Sequence, residues 1–153
     1  MSEASGDVGG AAAMTVGWVV LTMGDRPAEL AEAITSIRRM RPDVPVCVVV
    51  NGADHEPIVA AHPDVTVLES DVNLGVPGGR DLGVRSTTAD LIFFLDDDAR
   101  IIDEELMDRS IDRFVDESAL AAISFHLVDE HGATARRHVP RLGRGDPDRS
   151  GPV

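Results

Sequence analysis

The sequence LIFFLDDD occupies residues 91–98 and places five apolar residues directly before three aspartates. A short apolar run of this length predicts a buried strand, and the acids then lie where that strand ends. Open α/β sheets bind their ligands at the carboxyl ends of their strands. The stretch therefore predicts an acidic site at the carboxyl edge of a mainly parallel sheet.

The three acids also indicate a metal. Residues two apart in an extended segment face the same way, so Asp96 and Asp98 are predicted to converge while Asp97 points elsewhere. Carboxylate oxygens suit Mn²⁺ or Mg²⁺, and such ions fill their other positions with water and phosphate oxygens. The triplet thus favours a divalent cation and a phosphorylated ligand. The alternative is an acidic strand-to-helix turn in an acid-rich protein.

Composition narrows the classes of function. The chain has 153 residues, 43% of them hydrophobic and 27% charged, which is typical of one globular domain. Its 27 acids against 14 bases argue against nucleic acid or an anionic membrane surface as a partner. All the basic residues apart from histidine are arginines, so a Walker-type P-loop and a Schiff-base lysine are excluded.

The expected location is the cytoplasm. Cys47 is the single cysteine and lies within an apolar run, which predicts a buried structural thiol and excludes a disulfide within the chain. Residues 1–13 lack the basic and apolar regions of a signal peptide and are predicted to be a flexible tail. No stretch is apolar over a length that would span a bilayer, so no integral membrane segment is predicted.

Periodicity predicts alternating strands and helices. Strands are expected at 16–22, 44–50, 65–68, 91–95 and 121–128, and helices at 27–40, 55–61 and 103–117, with Met107, Ile111, Phe114 and Val115 facing inward. A glycine-rich loop at 73–83 should lead into a helix that ends near Thr88, and a turn at 129–132 into a return strand at 135–139. One domain is expected over 14–140, followed by an irregular tail at 141–153, and the C-terminal part looks truncated.

Four segments together resemble the family 2 glycosyltransferases, which are nucleotide-sugar-dependent enzymes of the GT-A fold. They are VVLTMGDRP at 19–27, VVVNG at 48–52, NLGVPGGRDLG at 73–83 and FFLDDD at 93–98, in the family's order and spacing. The resemblance implies an α/β, GT-A-like (Rossmann-like) fold with a mainly parallel central sheet flanked by helices. Asp81 and the pair Gly24-Asp25 depart from the commoner family residues, which leaves the donor's base open.

The resemblance also implies roles for single residues. Thr22 is expected to line the nucleotide pocket, Asn51 and Gly52 to form the polar turn under the base and ribose, and Arg80 to contact the nucleotide. Asp98, the expected catalytic residue, and Asp96 are expected to anchor the metal that bridges the donor's diphosphate, while Asp97 meets ribose or solvent. From the residues alone, Asn51-Gly52 is equally well explained as a strand-ending turn, and Arg80 as a surface ion pair.

The activity implied is metal-dependent transfer of a sugar, with inversion, from a nucleotide-diphosphate sugar to an unidentified acceptor hydroxyl. The chain is expected to carry the donor-binding half, because the family's general base lies further along than residue 153. One alternative is a non-catalytic module that binds nucleotides or nucleotide sugars. Another is a different Mg²⁺-dependent nucleotidyl- or phosphotransferase, which would need a second charged cluster. Self-association is also expected, through the inner face that the missing half of the fold would leave exposed.

Overall fold

The computed structural model describes residues 14–54 and 56–134. The chain divides into two compact units, Met1–Ile111 and Asp112–Val153. The described part of the first unit contains a four-stranded sheet in the order β3-β2-β1-β4, and each neighbouring pair of strands is parallel. The strands are β1 (Val16–Thr22), β2 (Val46–Asn51), β3 (Thr66–Ser70) and β4 (Leu91–Asp96). The predicted parallel α/β sheet is therefore confirmed.

Within the described residues, four helices accompany the sheet: α1 (Pro27–Met40), α2 (Glu56–Ala61), α3 (Gly75–Arg85) and α4 (Leu106–Asp116). Helix α1 begins at Pro27, whose fixed φ suits the first helical turn. Its apolar stripe buries Leu30, Ile34 and Ile37. The first strand and this helix begin and end where the sequence predicts, so the loop between them leaves the carboxyl end of β1.

The glycine-rich segment differs from its prediction, because α3 already begins at Gly75 and ends at Arg85. A Cβ added at Gly79 would lie 2.4 Å from Leu21 Cδ1, and one added at Gly83 would lie 2.4 Å from Val19 Cγ1. No side-chain contact can be that short. These two glycines therefore serve close packing of α3 on β1, where the sequence suggested a loop.

Strand β4 is less buried than an apolar run of five residues predicts. Leu91 and Phe93 are buried, and Phe93 stacks on Trp18 with ring centroids 4.7 Å apart. Phe94 is 38% exposed and Leu95 is half-buried. In the part of the chain that the structure describes, β4 pairs with β1 alone, so it is an edge strand.

Helix α4 is shorter than predicted and its inward face is narrower. Met107 is buried as expected, but Val115 is 64% exposed, so its placement in the core was wrong. Among residues 14–54 and 56–134, no helix is long and apolar enough to cross a membrane.

The strand predicted at 121–128 is also absent, because residues 121–127 form no regular structure. The turn after it is present. Asp129 Oδ1 accepts hydrogen bonds from the backbone N–H groups of His131 and Ala133, both at 2.9 Å, and Val128 bridges antiparallel to Thr134. The return strand at 135–139 and the two tails, 1–13 and 141–153, lie outside the described residues.

Candidate functional site

The carboxyl ends of the strands meet at one edge of the sheet. Leu21 of β1 pairs with Asp96 of β4, and Thr22 pairs with Val50, the residue before Asn51 in β2. Because these ladders are parallel, the polar residues that end the strands lie side by side. The structure thus brings Thr22, Asn51 and Asp96 to the same edge, as the sequence predicts.

Asp97 points into the protein at this edge. Its Oδ2 accepts a 2.6 Å hydrogen bond from Thr22 Oγ1, and only 9% of Asp97 and 2% of Thr22 are exposed. Burial raises the pKa of the Asp97 carboxyl, against the opposing effects of the Thr22 hydrogen bond and the Arg26 charge. Of the two expected surroundings of Asp97, ribose or solvent, this burial argues against solvent, because the alternation of the chain turns the side chain inward. A contact with ribose stays a prediction. Thr22 is itself buried and holds this acid.

The two outer aspartates face outward, and each pairs with a different arginine. Asp98 Oδ2 lies 2.6 Å from Arg26 NH1, and Asp96 Oδ1 lies 2.9 Å from Arg80 NH2. The Arg80 guanidinium also lies 5.4 Å from the centroid of the Phe94 ring. We call the four charged side chains Arg26, Arg80, Asp96 and Asp98 the acid–arginine edge. It presents anionic and cationic groups together, all substantially exposed.

Asn51 is buried and fixes the segment before α3. Its Nδ2 donates to Asn73 Oδ1 at 3.1 Å and to the Gly75 carbonyl at 3.2 Å, while its Oδ1 accepts from Leu74 N at 2.8 Å. Both ends of the amide are thus engaged with protein. Through these bonds Asn51 positions the start of the helix that carries Arg80.

Gly52 allows that segment to approach β2. Its φ is +84°, in the left-handed region that glycine favours, and its N–H donates to the Ser70 carbonyl at 2.9 Å. A Cβ at this position would lie 2.7 Å from Asn73 N. Any larger residue would therefore push the Asn73 segment away from Asn51.

Sequence reasoning missed two residues of this arrangement, Arg26 and Asn73. Arg26 directly precedes the Pro27 that opens α1, so its place at the carboxyl edge could have been read from the strand-turn-helix pattern. Asn73 Oδ1 accepts from Gly75 N at 2.8 Å as well as from Asn51, which is an Asx turn before a helix. That turn chemistry is visible in the sequence as Asn-Leu-Gly.

The acid–arginine edge fits a divalent cation by its donor chemistry. In the described residues, no group of three or more His, Cys, Asp or Glu side chains is arranged to hold a metal. A cation of the Mg²⁺ class needs only one or two protein carboxylates when a substrate supplies phosphate oxygens. Asp96, the last residue of β4, and Asp98, two residues further on, are exposed oxygen donors of this kind.

A cavity of about 590 Å³ lies elsewhere, between α1 and the segment 100–104. None of the sequence-predicted site residues lines it. The candidate site is therefore an open edge of the sheet, and the cavity contributes nothing to it.

Comparison with known proteins agrees with this fold. The family model described as Glycosyl transferase family 2 matches residues 18–149. Among solved structures, S. aureus TarS matches with a TM-score of 0.54 and 23% identity over 67% of this chain. The mannosyltransferase PcManGT from Pyrobaculum calidifontis, in complex with GDP-Man and Mn²⁺, matches with a TM-score of 0.57 and 20% identity over 66% of it. A structure of TarS 1–349 in complex with UDP also matches, with a TM-score of 0.54 and 23% identity over 67% of the chain.

These likenesses show the fold, and the predicted GT-A-like architecture is confirmed. The chain covers 20% of the length of the first TarS structure and 32% of each of the other two. No curated protein matches the chain.

Proposed function

This chain belongs to glycosyltransferase family 2, and we propose that its acid–arginine edge binds the diphosphate of a nucleotide-sugar donor for glycosyl transfer. One observation carries the proposal. Asp97 is buried on Thr22, which leaves Asp96 and Asp98 exposed on either side of it, each beside an arginine. Such an edge offers oxygen donors to a cation and guanidinium donors to phosphate in one place.

The proposed metal is Mn²⁺ or Mg²⁺, held by Asp98 and Asp96. The neighbour PcManGT is described in complex with GDP-Man and Mn²⁺, and TarS with UDP, which supports ligands of the same classes here. When bound, a divalent cation supplies charge neutralisation to the leaving diphosphate. Two carboxylates supplemented by phosphate oxygens satisfy the coordination that such ions prefer.

The protein's own side chains bind and orient the donor in this proposal. Arg80 pairs with phosphate through the planar fork of its guanidinium, which can make two parallel hydrogen bonds. Asn51 and Gly52 hold the segment that leads into α3, and we propose that base and ribose lie against that segment. Thr22 keeps Asp97 inward, so that the outer two acids stay directed at the ligand.

We further propose that transfer proceeds with inversion. An acceptor hydroxyl would attack the anomeric carbon on the face opposite the leaving diphosphate and would pass its proton to a general base. The chain would contribute the donor-binding half of that reaction. The competing function is a module that binds nucleotide sugars without transferring them.

A binding titration tests donor recognition. UDP, GDP, CDP and TDP are titrated by calorimetry into the protein with and without Mn²⁺, and we expect one nucleotide to bind more tightly with the ion. Asp98→Ala should remove the Mn²⁺-dependent part, while circular dichroism shows an intact fold. Asp108→Ala is the matched control, because Asp108 is 64% exposed and also pairs with an arginine, Arg41. Undiminished Mn²⁺-dependent binding by folded Asp98→Ala would remove Asp98 from the site.

A product assay separates transfer from binding alone. The protein is incubated with Mn²⁺, the matching nucleotide sugar and generic acceptors, and released nucleoside diphosphate is measured beside product. Glycosylated product that depends on Asp98 would support transfer by this chain. Binding without any product or donor hydrolysis would favour the non-catalytic module.

A further inference from the structure

We infer that Arg26 exchanges partners at this site, holding Asp98 in the ligand-free protein and binding the donor diphosphate once a divalent cation occupies Asp98. The inference rests on the proposed function and adds a residue to it. It assigns Arg26 a role in coupling the metal to the nucleotide.

The geometry makes Arg26 a competitor of the cation. Arg26 NH1 lies 2.6 Å from Asp98 Oδ2 and 3.9 Å from Asp97 Oδ1. A guanidinium hydrogen-bonded to Asp98 Oδ2 blocks that oxygen as a metal donor, and two cations at one oxygen repel each other. In this proposal, metal binding through Asp98 Oδ2 therefore displaces the arginine.

Release leaves Arg26 close to the ligand, because its backbone is fixed. The Arg26 carbonyl accepts a 3.0 Å hydrogen bond from Leu30 N, so the residue caps the start of α1. The side chain, in contrast, is 47% exposed and can turn without disturbing the helix. A guanidinium freed from a carboxylate at this edge finds its closest chemical substitute in a phosphate, which offers oxygens in the same bidentate geometry.

Arg80 is less suited to such an exchange. Its guanidinium makes both the 2.9 Å pair with Asp96 and the contact with the Phe94 ring at 5.4 Å. The hydrogen bond and the ion pairs that the Arg26 side chain makes within the described residues are with carboxylates. Displacing Asp98 leaves Arg26 with only the 3.9 Å pair to Asp97, whereas Arg80 would keep its contact with the Phe94 ring.

Substitution of Arg26 should shift two affinities in opposite directions. In Arg26→Gln, Mn²⁺ alone should bind about two- to fivefold more tightly, the range expected when an exposed ion pair no longer competes. At saturating Mn²⁺, the nucleoside diphosphate should bind about tenfold or more weakly, as expected for loss of a charged hydrogen bond. Free Mn²⁺ is followed by electron paramagnetic resonance and nucleotide binding by calorimetry.

The control is Arg41→Gln, which breaks the Arg41–Asp108 pair of closely similar exposure at the other end of α1. It should change neither affinity. A merely structural role for Arg26 would weaken both affinities together, with loss of helical signal.

Unchanged or weaker Mn²⁺ binding by folded Arg26→Gln would overturn the exchange, as would unchanged nucleotide binding at saturating Mn²⁺. Failure of the proposed function has a different signature, since the wild-type protein itself would bind no nucleoside diphosphate with Mn²⁺. That result would also remove the diphosphate as the second partner of Arg26.

Discussion

A threonine–aspartate pair joins β1 to β4 at each edge of the sheet, and the two pairs differ in burial and in the pKa shift of the aspartate. At the amino edge, Thr15 Oγ1 donates to Asp90 Oδ2 at 2.6 Å, and at the carboxyl edge Thr22 Oγ1 donates to Asp97 Oδ2 at 2.6 Å. The first pair is exposed, whereas the second is almost fully buried. The two pairs thus share one kind of side-chain hydrogen bond and differ strongly in burial.

The pKa values of the two acids move in opposite directions. The hydroxyl and the backbone N–H of Thr15 lower the pKa of Asp90, because both donate to its charged form. Burial raises the pKa of Asp97 although its hydroxyl partner is equally close. Desolvation therefore outweighs the hydrogen bond at the carboxyl edge. The exposed pair stabilises the start of the strands, while the buried one keeps an acid inside the candidate site at a cost in stability.

The largest expected effect concerns the buried pair. Thr22→Val should lower the free energy of unfolding by about 1.5–3 kcal/mol, the usual contribution of a hydrogen bond to a charged group. The valine leaves the buried Asp97 carboxylate without its donor and Gly24 N without the oxygen it contacts at 3.0 Å. Urea denaturation at neutral pH measures the change.

Thr15→Val is the matched control, since it removes the same group from the exposed pair. Its loss should be clearly smaller, because water replaces the hydroxyl at an exposed carboxylate. Equal losses from the two variants would show that burial does not distinguish the edges.

Replacing the aspartate of each pair by asparagine should have a smaller effect, and the change in free energy of unfolding should have opposite signs at the two edges. In metal-free buffer at neutral pH, Asp97→Asn should raise the free energy of unfolding, because it removes a charge that burial disfavours and keeps an acceptor for Thr22. Asp90→Asn should lower it, because there the charged form is the favoured one. Thermal denaturation of both variants beside wild type is sufficient. A loss of stability in Asp97→Asn would mean that the charged form of Asp97 is favoured in the fold.

Much of the fold was predictable because the local sequence signals for strands, turns and helices agree with the elements that the fold contains. Residues 16–22 combine apolar and β-branched residues before a turn, and Pro27 marks the helix start, so β1 and α1 were placed correctly. The parallel arrangement followed from the alternation of strands and helices. It is this arrangement that brings the strand ends to one edge.

The predictions that were wrong concern features that depend on contacts with residues distant in the sequence. Gly79 and Gly83 suggest a loop by propensity, but both lie within α3, where the lack of a side chain permits close contact with Leu21 and Val19. The exposure of Phe94 follows from the edge position of β4, which an apolar run does not reveal. Residues 121–127 have strand-like composition, but composition alone does not provide a pairing partner.

In the candidate site, too, local features were predicted correctly and contacts between distant residues were not. Alternation along Asp96, Asp97 and Asp98 correctly separated the middle acid from the outer two. The inward partner Thr22 and the outward partners Arg26 and Arg80 come from other elements, separated from the acids by 16 to 75 residues. Such pairings depend on side-chain direction at the ends of strands and helices, which spacing in the sequence does not fix.

The smallest expected effect is the pH dependence of the exposed pair. The pKa of Asp90 is lower in the folded protein than its ordinary value of 3.8, so its contribution to stability is complete above that value and is lost as the pH falls through the lowered pKa. The difference in free energy of unfolding between wild type and Asp90→Asn should therefore be constant near neutral pH. It should shrink as the pH falls below about 4, because the wild-type carboxyl then becomes protonated and neutral like the amide. The effect is small because the pair is exposed and screened by water and salt.

Urea denaturation of the two proteins at a series of pH values measures this pH dependence. Thr15→Val should reduce the same pH dependence. A difference that grows as the pH falls would show that Asp90 is held in its neutral form, and the contrast between the two edges would then be lost.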